Sequence, residues 1–244
     1  MNTKKYRIAD VSFEMSCQYD FTTHMCMDYE IEFDDVTQFY IEVSDEEILR
    51  EDSMDEGIHS SSYLESLALY RKLCEKMLDY DSFLFHCSAV EVEGRAYLFA
   101  APSGTGKSTH TRLWRERFGD KAVMINDDKP LLQVREDAIY VCGTPWCGKH
   151  GLNTNKKVPI QGICILARGM ENKIERISPV EAYPDLYKQT YRPKDRAKMI
   201  KTLALLKELA ERIPMYKMFC TISEEAAVVA WNGMRPQNDE RCEE

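Results

Sequence analysis

The sequence has no CxxC pair, no internal repeat, no low-complexity tract and no long apolar run. Each absence excludes something. No apolar stretch approaches the roughly 18 residues of a membrane span. The opening residues, MNTKKYRIAD, lack the apolar centre of a signal peptide. The chain is therefore read as cytoplasmic, with no membrane partner. Nine cysteines are scattered from Cys17 to Cys242 without paired spacing. That argues for reduced cytosolic thiols over a zinc site or a disulfide framework. Positive charge is in deficit: 32 Lys and Arg stand against 41 Asp and Glu, a net charge of −9. Nucleic acid needs clustered cations against its phosphates, so it is not expected as a partner.

What is present is enough for a core. The chain has 244 residues, 44% of them hydrophobic, which fits one large domain or a small one plus a medium one. Residues 5–45 alternate apolar and polar side chains, in Tyr6–Phe13, Tyr29–Phe33 and Phe39–Val43, and read as strands. Residues 44–59 are a polar connection with at most a helical turn. A helix is expected over 62–79, with Ser62 and Glu65 as a capping box. The division expected is a β-rich part over 1–60, a core over 61–234 and a loose polar tail over 235–244.

Within the core, FLFHCSAV at 83–90 reads as a strand, and Glu93-Gly94 as a turn into a second strand, Arg95–Ala100. The chain then runs through Ala101-Pro102-Ser103-Gly104-Thr105-Gly106-Lys107-Ser108-Thr109 into a helix ending near Gly119. This is P-loop spacing, with Ala101 in place of the usual first glycine. Gly104 and Gly106 let the backbone turn its N–H groups onto a phosphate chain. The helix N-terminus adds positive potential. Lys107 reaches the terminal phosphates, and the Ser108 hydroxyl can ligate Mg²⁺. Ser103, Thr105 and Thr109 complete the cradle. ATP, or another nucleoside triphosphate, with Mg²⁺ is the cofactor this implies.

Phosphoryl transfer also needs a metal partner and a base. Asp127 and Asp128 follow a short apolar strand about twenty residues after Lys107. One could meet Mg²⁺ while the other accepts a hydroxyl proton; an Asp-Asp turn after a strand is the plain alternative. His86 is either a core histidine or a ligand. The long loop GTPWCGKHGLNTNKKVP at 143–159 is of a kind that is functional or mobile. Its Lys149, and Arg168 beyond it, are either phosphate contacts or solvated charges.

The ordered set of His86-Cys87-Ser88-Ala89, hairpin, P-loop and Asp127-Asp128 resembles the ATP-dependent phosphoenolpyruvate carboxykinases. It equally resembles the catalytic domain of HPr serine kinase/phosphorylase. The match spans about residues 83–150, and the chain looks most like the small HPr-kinase-related proteins of bacteria. The resemblance implies an α/β fold with mixed sheets, unlike the common parallel-sheet P-loop proteins. It implies Asp127 as general base, Asp128 as the metal-associated carboxylate, and His86 as a holder of a second metal and phosphate. Lys149 would be a phosphate contact. The function implied is transfer of the γ-phosphoryl group of ATP to a hydroxyl, that of a serine in a peptide or small protein. A homo-oligomer is known in that family, and nothing in this chain's patterning requires one. The carboxykinases' substrate-binding N-terminal half has no counterpart here, and the HPr-kinase signature after the catalytic strand is not matched by Arg168-Gly169-Met170. Two other readings stand beside the kinase: an ATP-responsive binding module without transfer, and a carboxykinase-like enzyme acting on a small molecule.

Overall fold

The computed structural model describes residues 2–32, 34–53 and 57–236. The tail expected over 235–244 therefore lies almost wholly outside the described residues. Among those described, no helix is long and apolar enough to cross a membrane.

The N-terminal part is a hairpin of β1 (Asn2–Ile8) and β2 (Val11–Cys17). Its two-residue turn, Ala9-Asp10, has positive φ at both positions, the backbone that matches strand twist. A short strand, β3 (Phe39–Ile41), adds parallel to β2. The stretch around Tyr29, expected as a strand, instead holds α1 (Asp20–Met25) and a 3-10 turn over Met27–Tyr29. Among the described residues a bridge there joins Tyr6 to Glu30; Phe33, the end of the expected strand, lies outside them. The polar connection also contains more than a turn: α2 (Asp45–Asp52), with Ser44 and Glu47 forming a capping box.

Helix α3 (Ser61–Met77) starts one residue earlier than its pattern suggests. Ser60 is the N-cap and accepts from the Tyr63 N–H at 3.3 Å. The expected partner Glu65 is fully buried and turned elsewhere, accepting from the Gln18 and Tyr19 N–H groups at the start of α1. Two orphan helix-end donors outcompete a cap that water could have replaced.

The core sheet takes β4 (Ser82–Leu84), β5 (Ser88–Val92), β6 (Arg95–Ala100), β7 (Ala122–Asn126), β8 (Leu131–Val134), β9 (Ile139–Cys142), β10 (Lys157–Arg168), β11 (Lys173–Ile177) and β12 (Met215–Cys220). The strand order is β4-β8-β9-β10-β6-β5-β7, and β12 joins β10 to β11. The first residues of β10 pair antiparallel with β9; the rest lies parallel to both β6 and β12. The sheet is therefore mixed, in an α/β protein. What looked like one strand over 83–90 is two, because β4 pairs with β8 and β5 pairs with β6 and β7. Residues 85–87 cross from one pairing to the other.

Alternation along β6 places Ala96, Leu98 and Ala100 in one apolar layer and Tyr97, Phe99 and Ala101 in another. The first layer meets α5 (Pro179–Gln189) and α6 (Arg196–Arg212); the second meets α4 (Lys107–Phe118) and α7 (Glu224–Met234). A strand buried on both faces needs an almost continuous apolar run, which RAYLFA supplies. A third cluster joins the N-terminal hairpin to α3 and to Leu131, Cys142 and Trp146 of the core.

Candidate active site

Strand β6 ends at Ala100, and loop 101–106 hands the chain to α4. Gly104 and Gly106 have φ of 76° and 125°, conformations that a side chain would strain. The loop curls around Lys107, only 8% exposed, whose Nζ donates to the Ala101 carbonyl at 2.9 Å. Burial lowers the Lys107 pKa, and the charge of Asp128 opposes that shift. The two groups thus feel each other across the site. Ser103, Gly104 and Ser108 are exposed, and Thr105, Gly106 and Thr109 are half-buried. Arg168, at the end of the neighbouring β10, donates from its guanidinium to the Gly104 carbonyl at 2.8 Å.

Asp127 and Asp128 emerge from β7, the strand beyond β5. Asn126 sets their geometry. It is fully buried, and its Oδ1 accepts from the N–H groups of Asp128 at 2.8 Å and Lys129 at 2.7 Å. Its Nδ2 donates to the carbonyls of Thr144 and Trp146. One side chain thereby shapes the carboxylate turn and ties it to the long loop.

Asp127 is 3% exposed. Its N–H donates to the Leu152 carbonyl at 3.1 Å, and its carbonyl accepts from the buried Ser88 hydroxyl at 2.8 Å. Oδ1 accepts from the Gly148 N–H, whereas Oδ2 is buried with no partner among the described residues. Desolvation raises the Asp127 pKa, and the Asp128 charge adds to the rise; the Gly148 bond acts against it. A Cβ at Gly148 would stand 3.0 Å from Oδ2, so a side chain there would push the Asp127 carboxylate by a few tenths of an ångström.

Asp128 has the opposite electrostatics. Burial raises its pKa, but the His86 hydrogen bond and the charges of His86, Lys129 and Lys107 outweigh that, and the net shift is downward. His86 Nε2 lies 2.9 Å from Asp128 Oδ1. Two adjacent carboxyls are thus driven apart in basicity by their surroundings, the pattern of paired acid–base groups.

The long loop is built in rather than mobile. Trp146 stacks on Tyr70 of α3 at 4.3 Å, and its Nε1 donates to the Ser66 carbonyl at 2.9 Å. Asn153 bonds the Tyr29 hydroxyl at 2.9 Å and donates to Cys147 Sγ at 3.2 Å.

Of the residues singled out from sequence, Lys107, Asp127, Asp128 and His86 come together. His86 sits in the crossing at 85–87, not within a strand, and its Nε2 faces Asp128. A metal at that nitrogen would have to enter between the two. Lys149 is exposed beside Gly148. His110 packs in α4: it is 2% exposed and accepts from Trp114 Nε1 at 3.2 Å. Sequence reasoning missed Asn126, Ser88 and the role of Gly148. Asn before Asp-Asp carries a turn signal that could have flagged the first; a serine inside a strand carries none.

No protein-family model matches the chain, and no curated protein matches it in sequence. Among solved structures the chain is similar to the Hpr(Ser) kinase/phosphatase from Coxiella burnetii, with 11% identity, a TM-score of 0.32, and coverage of 60% of this chain and 91% of that one. A superposition that loose supports no assignment of residue roles.

Proposed function

We propose that the chain is an ATP- and Mg²⁺-dependent kinase that moves the γ-phosphoryl group onto a hydroxyl, that of a serine in a peptide or small protein. The observation that carries this reading is the Asp127 carboxylate, held by one oxygen, with the other oxygen buried and unpartnered among the described residues, next in the chain to Asp128, whose charge acts on Lys107. Most buried side-chain oxygens have a hydrogen-bond partner, so an unpartnered carboxylate oxygen is open to an incoming hydroxyl. Its raised pKa makes it a better proton acceptor near neutrality than an exposed aspartate. In this reading Asp127 takes the hydroxyl proton as the acceptor attacks.

Lys107 and the amides of Ser103, Gly104, Thr105 and Gly106 face the phosphates, with the α4 N-terminus behind them. Thr109 supports the first turn. Ser108 and Asp128 are hard oxygen donors of the kind Mg²⁺ takes, and both remain charged or polar at neutral pH. Among the described residues no group of three or more His, Cys, Asp or Glu is set to hold a metal alone. Bound Mg²⁺–ATP supplies the phosphoryl group and offsets its charge. His86 keeps Asp128 ionised and oriented.

The test is mass spectrometry of serine peptides after incubation with the protein, ATP and Mg²⁺. A mass gain of one phosphate is expected with the native chain and none with Asp127→Asn, while that variant still binds nucleotide. Equal loss of transfer and of nucleotide binding would count against the base role.

A further inference from the structure

A cavity of about 370 Å³ opens next to the carboxylate pair, lined among others by His86, Lys129, Leu67, Leu84, Tyr70 and Thr190. His86 and Lys129 also contact Asp128, at 2.9 and 3.8 Å. The cavity therefore begins one residue from Asp127. It continues along α3 into a second depression of about 270 Å³, the two sharing Glu51, Arg71 and Tyr191. Together they form a groove rather than a single hole.

The floor is apolar, from Leu67, Leu84 and Ala68. The walls are charged, and unequally so. All three acids of the groove are already matched. Glu51 is held by Arg71 through two bonds of 2.6 and 2.8 Å. Glu47 pairs with Lys72 at 2.8 Å, and Glu75 with Lys198 at 2.6 Å. Against them Arg50, Lys129, Lys188, Arg192 and Lys194 also line the groove; Lys129 lies 3.8 Å from Asp128 and Lys188 3.4 Å from Asp185, and the cations still outnumber the acids with those two pairs included. A chain of net charge −9 thus concentrates positive charge along one groove leading to its candidate base. A low-dielectric cleft lined by one sign focuses its field on ligands of the other.

We infer that this groove binds an acidic peptide segment, seating its hydroxyl-bearing residue at the His86–Lys129 end and its flanking carboxylates along Lys188, Arg192 and Lys194. This rests on the kinase reading for what happens to the hydroxyl, and not for the binding itself. An elongated shape suits an extended segment, and a compact anion would leave the α3 end of the groove unfilled.

The experiment is fluorescence anisotropy with a short labelled peptide carrying one serine flanked by glutamates, beside its lysine-flanked counterpart. The acidic peptide should bind the native chain and weaken as salt rises. Lys188→Glu with Lys194→Glu should lower its affinity about tenfold or more, with binding of a fluorescent ATP analogue unchanged. Both lysines are exposed, and the milder Lys188→Gln with Lys194→Gln should fall between. Equal affinity for the two peptides, or no change in the charge-reversed variant, would overturn the proposal. Phosphate transfer is read separately by peptide mass. Charge-dependent binding without transfer sinks the kinase reading and supports the groove; transfer to both peptides with the same kcat/KM overturns the groove.

Discussion

Asp127 shows how much one side chain's surroundings decide. Its pKa is raised, so the folded state holds that proton more tightly than the unfolded chain does. The group therefore favours folding at acid pH, and that contribution is lost as pH rises through its raised value. Asp127→Asn should then raise the melting temperature at neutral pH while lowering transfer by roughly 10³-fold, within the range of a lost general base. A melting temperature that falls at neutral pH would contradict the unpartnered, desolvated carboxylate. The acid limb of the native kcat profile should lie above the ordinary aspartate range for the same reason. His110 titrates in the other direction. Burial pushes it down to about 4 from 6.5, so the folded chain resists taking up that proton. Stability should drop as pH falls from about 6.5 toward 4, by on the order of 3 kcal/mol. The drop should be shallower in His110→Leu, even though that variant starts lower for want of the Trp114 bond. Urea unfolding at several pH values measures both.

Caps and turns, where single atoms determine where an element begins, are the tests at the level of the element. Ser60→Ala should cost α3 about 1 kcal/mol, the usual value of an N-cap, whereas Ser62→Ala should change stability little. The opposite ranking in thermal melts would restore the sequence expectation of a Ser62–Glu65 box. The turn after β7 depends on Asn126 in the same way. Asn126→Ala strips the half-buried Asp128 and Lys129 N–H groups and the Thr144 carbonyl of their side-chain partner, while the Trp146 carbonyl keeps the Thr144 hydroxyl, and should cost roughly 2–4 kcal/mol. It should also lower kcat more than it weakens nucleotide binding, because it frees Asp128 but leaves the Lys107 loop intact. Loss of nucleotide affinity with kcat preserved would place Asn126 outside the site. Elements that follow from local chemistry were legible in advance: the Glu93-Gly94 turn, and α4 to Gly119. Those that depend on a distant partner were not. The run at 83–90 reads as one strand because each residue suits a strand, and only the competition between β8 and β6 for its two halves splits it.

Across the whole molecule, the N-terminal part shares an apolar cluster with α3 and the core. Tyr6, Phe13 and Tyr29 share a cluster with Leu69 and Leu73 of α3 and with Trp146 of the site loop. Each such buried side chain contributes roughly 1.5–3 kcal/mol, and Asn155 adds a bond to the Asp28 carbonyl at 3.0 Å. We infer from this shared cluster that residues 1–60 and the core unfold together. Guanidinium unfolding followed by tryptophan emission and by circular dichroism should give coincident single transitions. Two resolved transitions would show that residues 1–60 fold on their own. The same packing explains why loop 143–156, so rich in glycine and polar residues, is held in place: α3 on one side and the 3-10 turn at Tyr29 on the other supply the partners that its own sequence lacks.

By itself the sequence determined the small-residue loop before Lys107, the paired carboxylates after an apolar strand, and the apolar run of β6 that leads into the loop. These are local patterns, set by backbone freedom and by periods of two and 3.6 residues. Only the tertiary structure decided which carboxyl is starved of partners and which is neutralised. Neighbouring aspartates in one turn are alike in sequence. The Gly148 loop closes over Asp127, while His86, from a break between strands about forty residues earlier, reaches Asp128. Desolvation and pairing are properties of what surrounds a group in space, and the chain brings those surroundings from separate segments, around His86, Lys107, Asn126 and Gly148.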